Sequence, residues 1–259
     1  MARRTALVTG ASGGIGWELA KLFARDGFDV AIVGRYPARL EELAQELEER
    51  FGVLTYVISR DLAGDDAPRE VVWSLAERGA QVDVLVNGAG FTQVGPFAMA
   101  GHRRMSELMH VTMVAMTSLC RLVAPGMVER GWGRIVNVAT GDVRLGSDMA
   151  VSNAARAYVL ALSAALSEEL KGTGVLVTAL VPGPTAPEVR VHLDPPDDLT
   201  EADLASSAEV AEWGYEQVRR GKLYAVRGAR WRAVALGSRV APRATAARLA
   251  RHHRPRSAR

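Results

Sequence analysis

The stretch Thr9-Gly10-Ala11-Ser12-Gly13-Gly14-Ile15-Gly16 decides the fold of this chain. It follows the apolar run 5–8 and precedes residues 17–25, in which apolar side chains recur at helical spacing. A strand, a glycine-rich turn and a helix in this order form the context of a dinucleotide-binding fingerprint. We therefore predict that this stretch binds a dinucleotide, and that the residues involved are Gly10, Ser12, Gly14, Ile15 and Gly16.

The chemistry expected of this stretch is that of the backbone. Glycines let the main chain turn tightly and approach a pyrophosphate. The helix that follows offers unpaired N–H groups and the positive end of its dipole, both of which favour an anion. The alternative is a tight turn that joins a strand to a helix and binds nothing.

The composition favours one large domain in a reducing compartment. With 259 residues, of which 48% are hydrophobic, the chain can bury a substantial core. We expect a nucleotide-binding domain over residues 1–228 and a tail over 229–259. The single cysteine, Cys120, excludes an intrachain disulfide. The first residues lack the apolar run of a secretory signal, and no stretch approaches the roughly 20 uncharged apolar residues of a membrane span. These features predict a cytoplasmic protein.

The net charge of +3 combines an acidic body with a basic tail. Residues 219–259 contain 13 of the 32 Lys and Arg and none of the 29 Asp and Glu, so residues 1–218 hold 19 basic and 29 acidic residues, a charge of −10. Apolar residues interleave with arginines in the tail, a pattern compatible with weak contact with a membrane surface. The favoured interpretation is a docked helix followed by an Arg-rich end. No recognition motif accompanies the charge, so no nucleic acid is expected as a partner.

Strand-like and helix-like segments alternate along the chain. This alternation predicts right-handed βαβ units, and therefore an α/β fold of the Rossmann type: a doubly wound parallel sheet of about seven strands with helices on both faces. The predicted strands are 5–9, 29–33, 53–59, 82–87, 133–139, 174–181 and 222–226. The predicted helices are 15–26, 38–50, 66–78, 103–129, 152–171 and 208–220.

Two candidate binding residues follow the second and third predicted strands. Ligands of such sheets bind beyond the carboxyl ends of the strands. Arg35 stands where an NAD-preferring enzyme usually carries Asp or Glu, and an arginine there accommodates a 2′-phosphate, so it favours NADP over NAD. The alternative for Arg35 is a solvated surface residue. Asp61 either binds the adenine amino group or caps the next helix.

The turn Asn87-Gly88-Ala89-Gly90 makes the interpretation more specific. Together with the glycine-rich stretch, Asp61-Leu62 and Pro182-Gly183, it resembles, in order and spacing, the short-chain dehydrogenase/reductase family. The resemblance covers residues 5–226 and implies the same fold and an NADP(H) cofactor. It also implies that the turn stabilises the central sheet and lines the cofactor site with Leu62, and that Pro182 and Gly183 begin a loop over the nicotinamide. Gly88 replaces the second asparagine of the family's turn.

The catalytic positions depart from the family pattern. Family members that interconvert a carbonyl and an alcohol use Asn, Ser, Tyr and Lys, of which the tyrosine transfers the proton. When the helix ending in Leu166-Ser-Glu-Glu-Leu170 is aligned from its far end, Ser152 occupies the tyrosine position and Arg156 the lysine position. The serine position falls on Thr140, or alternatively on Ala139, and the asparagine position on Thr112.

These substitutions predict an atypical active site. Thr140 and Ser152 are expected to offer hydroxyls to a small-molecule substrate, and Arg156 to hold the cofactor ribose while serving as a catalytic-site charge. Loss of a positioned general acid removes about 10²–10⁴ in rate. The first hypothesis is an NADP(H)-dependent oxidoreductase without the usual proton relay. The rival is a protein of this fold that transfers no hydride: a non-redox cyclase or dehydratase, or a cofactor-binding protein without turnover.

Two further expectations concern assembly and metals. Helices 103–129 and 152–171 resemble the pair through which the family dimerises, which implies a homodimer or homotetramer. The sequence shows no zinc-type spacing of Cys and His, and no metal is expected.

Overall fold

A seven-stranded parallel sheet forms the centre of the molecule, as predicted. The structure is a computed structural model, and it describes residues 3–93, 95–139, 149–183 and 205–227. The strand order is β3-β2-β1-β4-β5-β6-β7, and every neighbouring pair runs parallel. The strands are β1 (Thr5–Thr9), β2 (Asp29–Gly34), β3 (Thr55–Ser59), β4 (Val82–Asn87), β5 (Gly133–Val138), β6 (Val175–Val181) and β7 (Tyr224–Val226).

The order of the strands places a crevice between β1 and β4. From β1 the chain moves outward through β2 to β3, and then crosses back to β4 on the other side of β1. The connections that leave the carboxyl ends of β1 and β4 therefore diverge to opposite halves of the sheet. This switch point is where ligands bind in open parallel sheets.

Helices cover both faces of the sheet. Helices α1, α2 and α7 pack on one face, and α3, α5 and α6 pack on the other. Their bounds are α1 (Gly14–Arg25), α2 (Pro37–Phe51), α3 (Ala67–Glu77), α4 (His102–Met109), α5 (Met116–Glu129), α6 (Ala150–Glu169) and α7 (Ser207–Arg219). Local signals fix several ends: Pro37 starts α2, Gly52 in the left-handed region ends it, and Ser206 with Glu209 forms a capping box before α7.

The core consists of two apolar layers separated by the sheet. Strand β1 shows how one strand serves both: Ala6 and Val8 belong to the layer beneath α1 and α2, and Leu7 belongs to the layer beneath α3 and α5. All three side chains are fully buried. Burial on both faces explains why the central strands have continuous rather than alternating apolar sequences.

The long helix predicted over 103–129 contains a local irregularity. Helices α4 and α5 are joined without a break by a π-helical segment, His110–Ala115. By length and composition the whole stretch His102–Glu129 is apolar enough to cross a membrane, although charged side chains, Glu107 and Arg121, interrupt it. In this fold it packs on α3, α6 and β4, and 39% of its most apolar window is buried. The stretch therefore packs on the rest of the fold along one side and exposes apolar side chains such as Met109 and Val114 on the other.

The differences from the predicted elements are small. Strand β3 begins at Thr55 rather than 53, and β7 begins at Tyr224 rather than 222. Before β3, the Leu54 carbonyl accepts the Val30 N–H at 2.9 Å, whereas the Leu54 N–H donates to the Asp29 carboxylate and not to a strand carbonyl. Residues 228–259, including the predicted basic tail, lie outside the described residues.

Burial of Cys120 leads to a prediction about its reactivity. The side chain is 2% exposed on α5, and burial raises the pKa of its thiol to about 12. At pH 8 only about one thiol in ten thousand is then ionised, and the thiolate is the reactive form. We expect a disulfide reagent such as DTNB to label the native protein far more slowly than the protein in guanidinium. Because Cys120 is the single cysteine, unfolding should release one equivalent. Rapid, stoichiometric labelling of the native protein would contradict this burial.

Candidate functional site

The hydroxyl of Thr9 joins the carboxyl ends of β1 and β4. It donates to the Val86 carbonyl at 3.2 Å and accepts from the backbone N–H groups of Gly88 and Ala89 at 3.1 and 3.2 Å. Thr9 is 1% exposed, so these bonds are shielded from water. One side chain therefore holds the Asn87–Gly90 turn against the start of the glycine-rich stretch.

Directly beside Thr9, the backbones of Gly10 and Gly88 touch. A Cβ on Gly10 would lie 2.7 Å from the carbonyl of Gly88, and a Cβ on Gly88 would lie 2.7 Å from the Thr9 carbonyl oxygen. Gly10 also has a φ of +71°, which L residues rarely adopt. The two loops can approach this closely because neither carries a side chain at the contact.

The glycine-rich stretch places the start of α1 at the same spot. A Cβ on Gly16 would lie 2.4 Å from the Gly10 carbonyl oxygen, so Gly16 lets the first turn of the helix pack on the loop. Helix α1 begins at Gly14, and its N-cap residue, Gly13, makes no side-chain cap. Gly14 and Ile15 thus stand at the positive end of a helix dipole directed at the crevice, which is the arrangement that binds pyrophosphate.

A cleft of about 160 Å³ opens between this loop and the ends of β2, β3 and β4. Many of the predicted cofactor residues line it together. They are Gly10, Ser12, Arg35, Asp61, Leu62, Ala89 and Gly90. The lining also contains residues that we did not predict, namely Val33, Gly34, Tyr36, Arg60, Phe91 and Val111. Of these, Phe91 and Val111 carry no local signal, because they reach the cleft only through the packing of α4 and the π segment.

Within the described part of the chain, Arg35 has no carboxylate partner, unlike the other arginine of this cleft. Arg60 is bound to Glu70 at 2.8 Å, whereas Arg35 is exposed, lies 5.7 Å from the Tyr36 ring and forms no ion pair within the described residues. Next to Arg35, the Ser12 hydroxyl lies against Gly34, so closely that a Cβ on Gly34 would clash with this hydroxyl. An unpaired guanidinium beside a hydroxyl provides donors for a phosphate ester.

The structure excludes one of the two roles predicted for Asp61, namely the capping of the next helix. Its Oδ1 accepts the backbone N–H of Ala63 at 3.0 Å, which makes a turn before α3 rather than a cap on the helix, since α3 begins at Ala67. Its other carboxylate oxygen accepts no hydrogen bond from the described residues. Asp61 is exposed and lines the cleft, and its role toward adenine stays a prediction.

Asn87 points into the protein rather than into the cleft. Its Nδ2 donates to Asn137 Oδ1 at 2.8 Å, and Asn137 Nδ2 donates to the Ser163 hydroxyl at 3.0 Å, which in turn donates to the Val159 carbonyl. All three polar side chains are at most 2% exposed. The chain of bonds ties β4, β5 and α6 together, in agreement with a sheet-stabilising role for Asn87. Its Oδ1 has no partner within the described residues.

Three of the four predicted catalytic positions lie around one small cavity. Thr112, Ser152 and Arg156 line a space of about 10 Å³ between α6 and the π segment. Thr140 lies outside the described residues. The apolar walls of this cavity come from Phe91, Leu108, Val138, Ala155 and Val159.

The polar groups of this cavity are already engaged. The Ser152 hydroxyl accepts the Gln93 N–H at 3.0 Å and donates to the Gln93 carbonyl at 3.2 Å, so it holds the loop after β4 at both backbone groups. Arg156 donates to Asn153 Oδ1 at 2.5 Å, and the Thr112 hydroxyl donates to the Leu108 carbonyl at 2.5 Å. Nothing in the cavity acts as a base toward Ser152 within the described residues. The catalytic roles of Ser152 and Arg156 stay predictions.

Two remaining positions complete the site. Pro182 and Gly183 follow β6 and are buried, with Gly183 at a φ of +76°. Tyr158 does not approach Ser152, because its hydroxyl lies 2.7 Å from the Thr117 hydroxyl, where α6 meets α5.

Among the described residues, no three His, Cys, Asp or Glu side chains cluster as a metal site would require.

The chain matches a known family over most of its length. A family model described as short chain dehydrogenase matches residues 4–197. A short-chain dehydrogenase from Sphingobium yanoikuyae, solved in complex with NADPH, is 32% identical with a TM-score of 0.80, over 92% of this chain and 94% of that one. The bulky-bulky ketone specific alcohol dehydrogenase from Comamonas testosteroni is 30% identical with a TM-score of 0.78, over 93% and 94%.

Curated relatives align over a smaller share of their length. Nodulation protein G of Azospirillum brasilense is 32% identical over 186 residues, which are 71% of this chain and 75% of that protein. The very-long-chain 3-oxoacyl-CoA reductase of Homo sapiens is 29% identical over 182 residues, 68% of this chain and 58% of the reductase. The chain thus spans less than two thirds of that reductase.

The contact between Gly10 and Gly88 predicts a specific loss of stability. Gly10→Ala should lower the free energy of unfolding by about 1–3 kcal/mol more than Gly79→Ala, because the added methyl forces two backbones apart. Gly79 is a matched control, since it has the same φ of +71° and its Cβ would meet nothing within 4 Å. Urea unfolding of both variants measures the difference. Equal losses would show that the two loops do not touch.

Proposed function

This chain belongs to the short-chain dehydrogenase family, and we propose that it is an NADP(H)-dependent oxidoreductase that acts on a carbonyl or alcohol through an atypical active site. The observation that carries the proposal is the cleft at the switch point, where the Gly10–Gly88 contact, the start of α1 and Arg35 come together. The NADPH bound to the Sphingobium relative supports the choice of cofactor.

Different residues of the cleft are assigned to different parts of the cofactor. The backbone from Gly10 to Gly16 is assigned to the pyrophosphate, because the close packing of Gly10 and Gly16 brings the uncapped start of α1 to the cleft. Arg35, with Ser12, is placed for the 2′-phosphate, and Asp61 with Leu62 for the adenine. The turn Gly88–Gly90 and the Pro182-Gly183 corner border the nicotinamide end. When bound, the cofactor supplies or accepts a hydride.

On the substrate side, we propose separate roles for the hydroxyls. Thr140 offers a hydroxyl to the substrate oxygen, and Arg156 provides a fixed positive charge that holds ribose hydroxyls. Ser152 offers its hydroxyl to the substrate only when the loop at Gln93 moves, since Gln93 otherwise occupies it as donor and acceptor. Orientation of substrate against cofactor can supply about 7–11 kcal/mol without a proton relay.

We also propose that the chain forms a homodimer or homotetramer through the long helices. The outer face of the π segment and α4 exposes large apolar side chains, with Met109 41% and Val114 50% exposed. On α6, four exposed positions before its last turn are alanines, at Ala154, Ala157, Ala161 and Ala165. Small residues on one helix and apolar residues on the next allow close packing against a second copy.

A second candidate function is cofactor binding without hydride transfer, either in a non-redox catalyst or in a protein without turnover. The engagement of Ser152 by Gln93 and the 10 Å³ size of the cavity favour it, because a substrate carbonyl has no room there while the loop stays in place. This candidate keeps the cleft and the cofactor, and differs only in the chemistry.

The role of Arg35 is testable by cofactor preference. Arg35→Gln should weaken NADPH binding about 10–100-fold, because a charge-assisted pair with the 2′-phosphate is lost, and should change NADH binding less than about twofold. Arg50→Gln, at the far end of α2 with its side chain 64% exposed, is the control and should change neither. Calorimetric titration gives the affinities. Equal weakening of NADPH and NADH by Arg35→Gln would contradict a 2′-phosphate site.

The two candidate functions predict different results when the tyrosine and lysine of the family's proton relay are introduced. Ser152→Tyr with Arg156→Lys should raise the reduction rate of a carbonyl panel by about 10²–10⁴ if the pocket positions a carbonyl for hydride transfer. The matched control is Ser152→Phe with Arg156→Lys, which opens the Gln93 contact equally but supplies no phenol. Stopped-flow oxidation of NADPH measures the rate. No difference between the two double variants would favour the function without hydride transfer.

A further inference from the structure

A second cleft lies at the edge of the sheet opposite to the cofactor site. We call it the amino-edge cleft, because it is formed around the amino ends of β1, β2, β4 and β5. It has a volume of about 770 Å³. Its lining residues include two aromatic rings, three arginines and two aspartates, namely Tyr56, Trp132, Arg3, Arg4, Arg130, Asp29 and Asp83.

Both carboxylates of the amino-edge cleft serve the fold. Asp83 accepts the Thr5 N–H at 3.0 Å with one oxygen and binds Arg130 Nε at 3.2 Å with the other. Asp29 is 7% exposed and accepts the Leu54 N–H at 2.9 Å, while Arg3 approaches the same oxygen only to 3.8 Å. These aspartates therefore tie adjacent strand ends together and neutralise Arg130. Within the described residues, Arg3 donates to the Gly52 carbonyl at 2.7 Å, and neither Arg3 nor Arg4 has a carboxylate within hydrogen-bonding distance.

Arg4 and Arg134 share one aromatic ring instead of a carboxylate. Their guanidinium carbons lie 3.8 and 4.6 Å from the centre of the Trp132 ring, and neither side chain forms an ion pair within the described residues. Arg134 donates to the carbonyls of Gly133 and Gly174, and burial, followed by the charge of Arg4, lowers its pKa. The two cations therefore repel each other, although each is attracted to the face of the same ring.

The balance of charge at this edge is positive on a body that is acidic elsewhere. Counting Arg134 behind Trp132, four arginines face two aspartates, both of which are engaged. Residues 1–218 as a whole carry an excess of acidic residues. A multiply charged anion would relieve the repulsion between Arg4 and Arg134, and guanidinium groups bind phosphate oxygens in a forked geometry.

We propose that the amino-edge cleft binds a small phosphorylated molecule, whose phosphate is held by Arg4 with Arg3 and whose organic part lies against Tyr56, next to the Trp132 ring that Arg4 covers. The exposed guanidinium of Arg4 provides the forked donors. The size of the cleft accommodates a ligand larger than phosphate alone. Because the cofactor cleft opens at the other edge of the sheet, this second site is independent of the proposed function.

The proposal is tested with inorganic pyrophosphate as the probe and the full chain as the protein. Titration calorimetry measures the affinity, and tryptophan fluorescence reports on Trp132. Arg4→Gln should weaken an Arg4-dependent component of binding at least about tenfold, since a charge-assisted contact is lost. Arg69→Gln is the matched control, because Arg69 also lies on an exposed tryptophan, 4.7 Å from the Trp73 ring. It should leave binding unchanged.

A second variant locates the site. In Trp132→Phe, pyrophosphate should still bind, while the fluorescence change seen with the unmodified chain disappears. Isotherms of Arg4→Gln that coincide with those of the unmodified chain would overturn the proposal, and so would equal weakening by Arg4→Gln and Arg69→Gln. Binding at the glycine-rich stretch does not obscure the result, because that component does not depend on Arg4.

Discussion

Two backbones meet at the end of the central strands, and the rest of the site depends on that contact. Gly10 and Gly88 approach until a Cβ on either would lie 2.7 Å from the other loop. The approach lets the Thr9 hydroxyl bind both the Val86 carbonyl of β4 and the N–H groups of Gly88 and Ala89 in the turn after it. It also brings the start of α1, through Gly16, to the same edge. A cleft for an anionic ligand then follows from the sheet order, because β1 and β4 send their chains to opposite sides.

The residues predicted to bind the cofactor and the residues predicted to act in catalysis lie in two different places at the carboxyl ends of the strands. The cleft between the glycine-rich loop and the ends of β2, β3 and β4 is lined by backbone, Arg35 and Asp61. The positions expected to do chemistry lie deeper, where Ser152 holds Gln93 and Thr112 bonds within its own helix. Beneath both, the buried chain from Asn87 through Asn137 to Ser163 stiffens the floor of the site. The structure thus supports a well-formed cofactor cleft more directly than a particular reaction.

Much of the fold follows from local sequence, whereas several site contacts do not. Strand β4 was predicted with its observed bounds, because the run after 81 is apolar and ends at a polar turn. The doubly wound sheet was predicted from alternation alone and is confirmed. The π segment His110–Ala115 was missed, since apolar periodicity does not distinguish it from an α-helix. The contact of Ser152 with Gln93 joins residues 59 positions apart through a backbone group, which leaves no trace in side-chain patterns.

The central claim is that the cleft at the switch point holds NADP(H). Calorimetric titration of the unmodified chain with NADPH, and separately with NADH, tests it most directly. The account predicts one NADPH per chain, bound at least about tenfold more tightly than NADH, because Arg35 pairs with the 2′-phosphate that NADH lacks. Absence of NADPH binding, or equal affinity for the two cofactors, would contradict it.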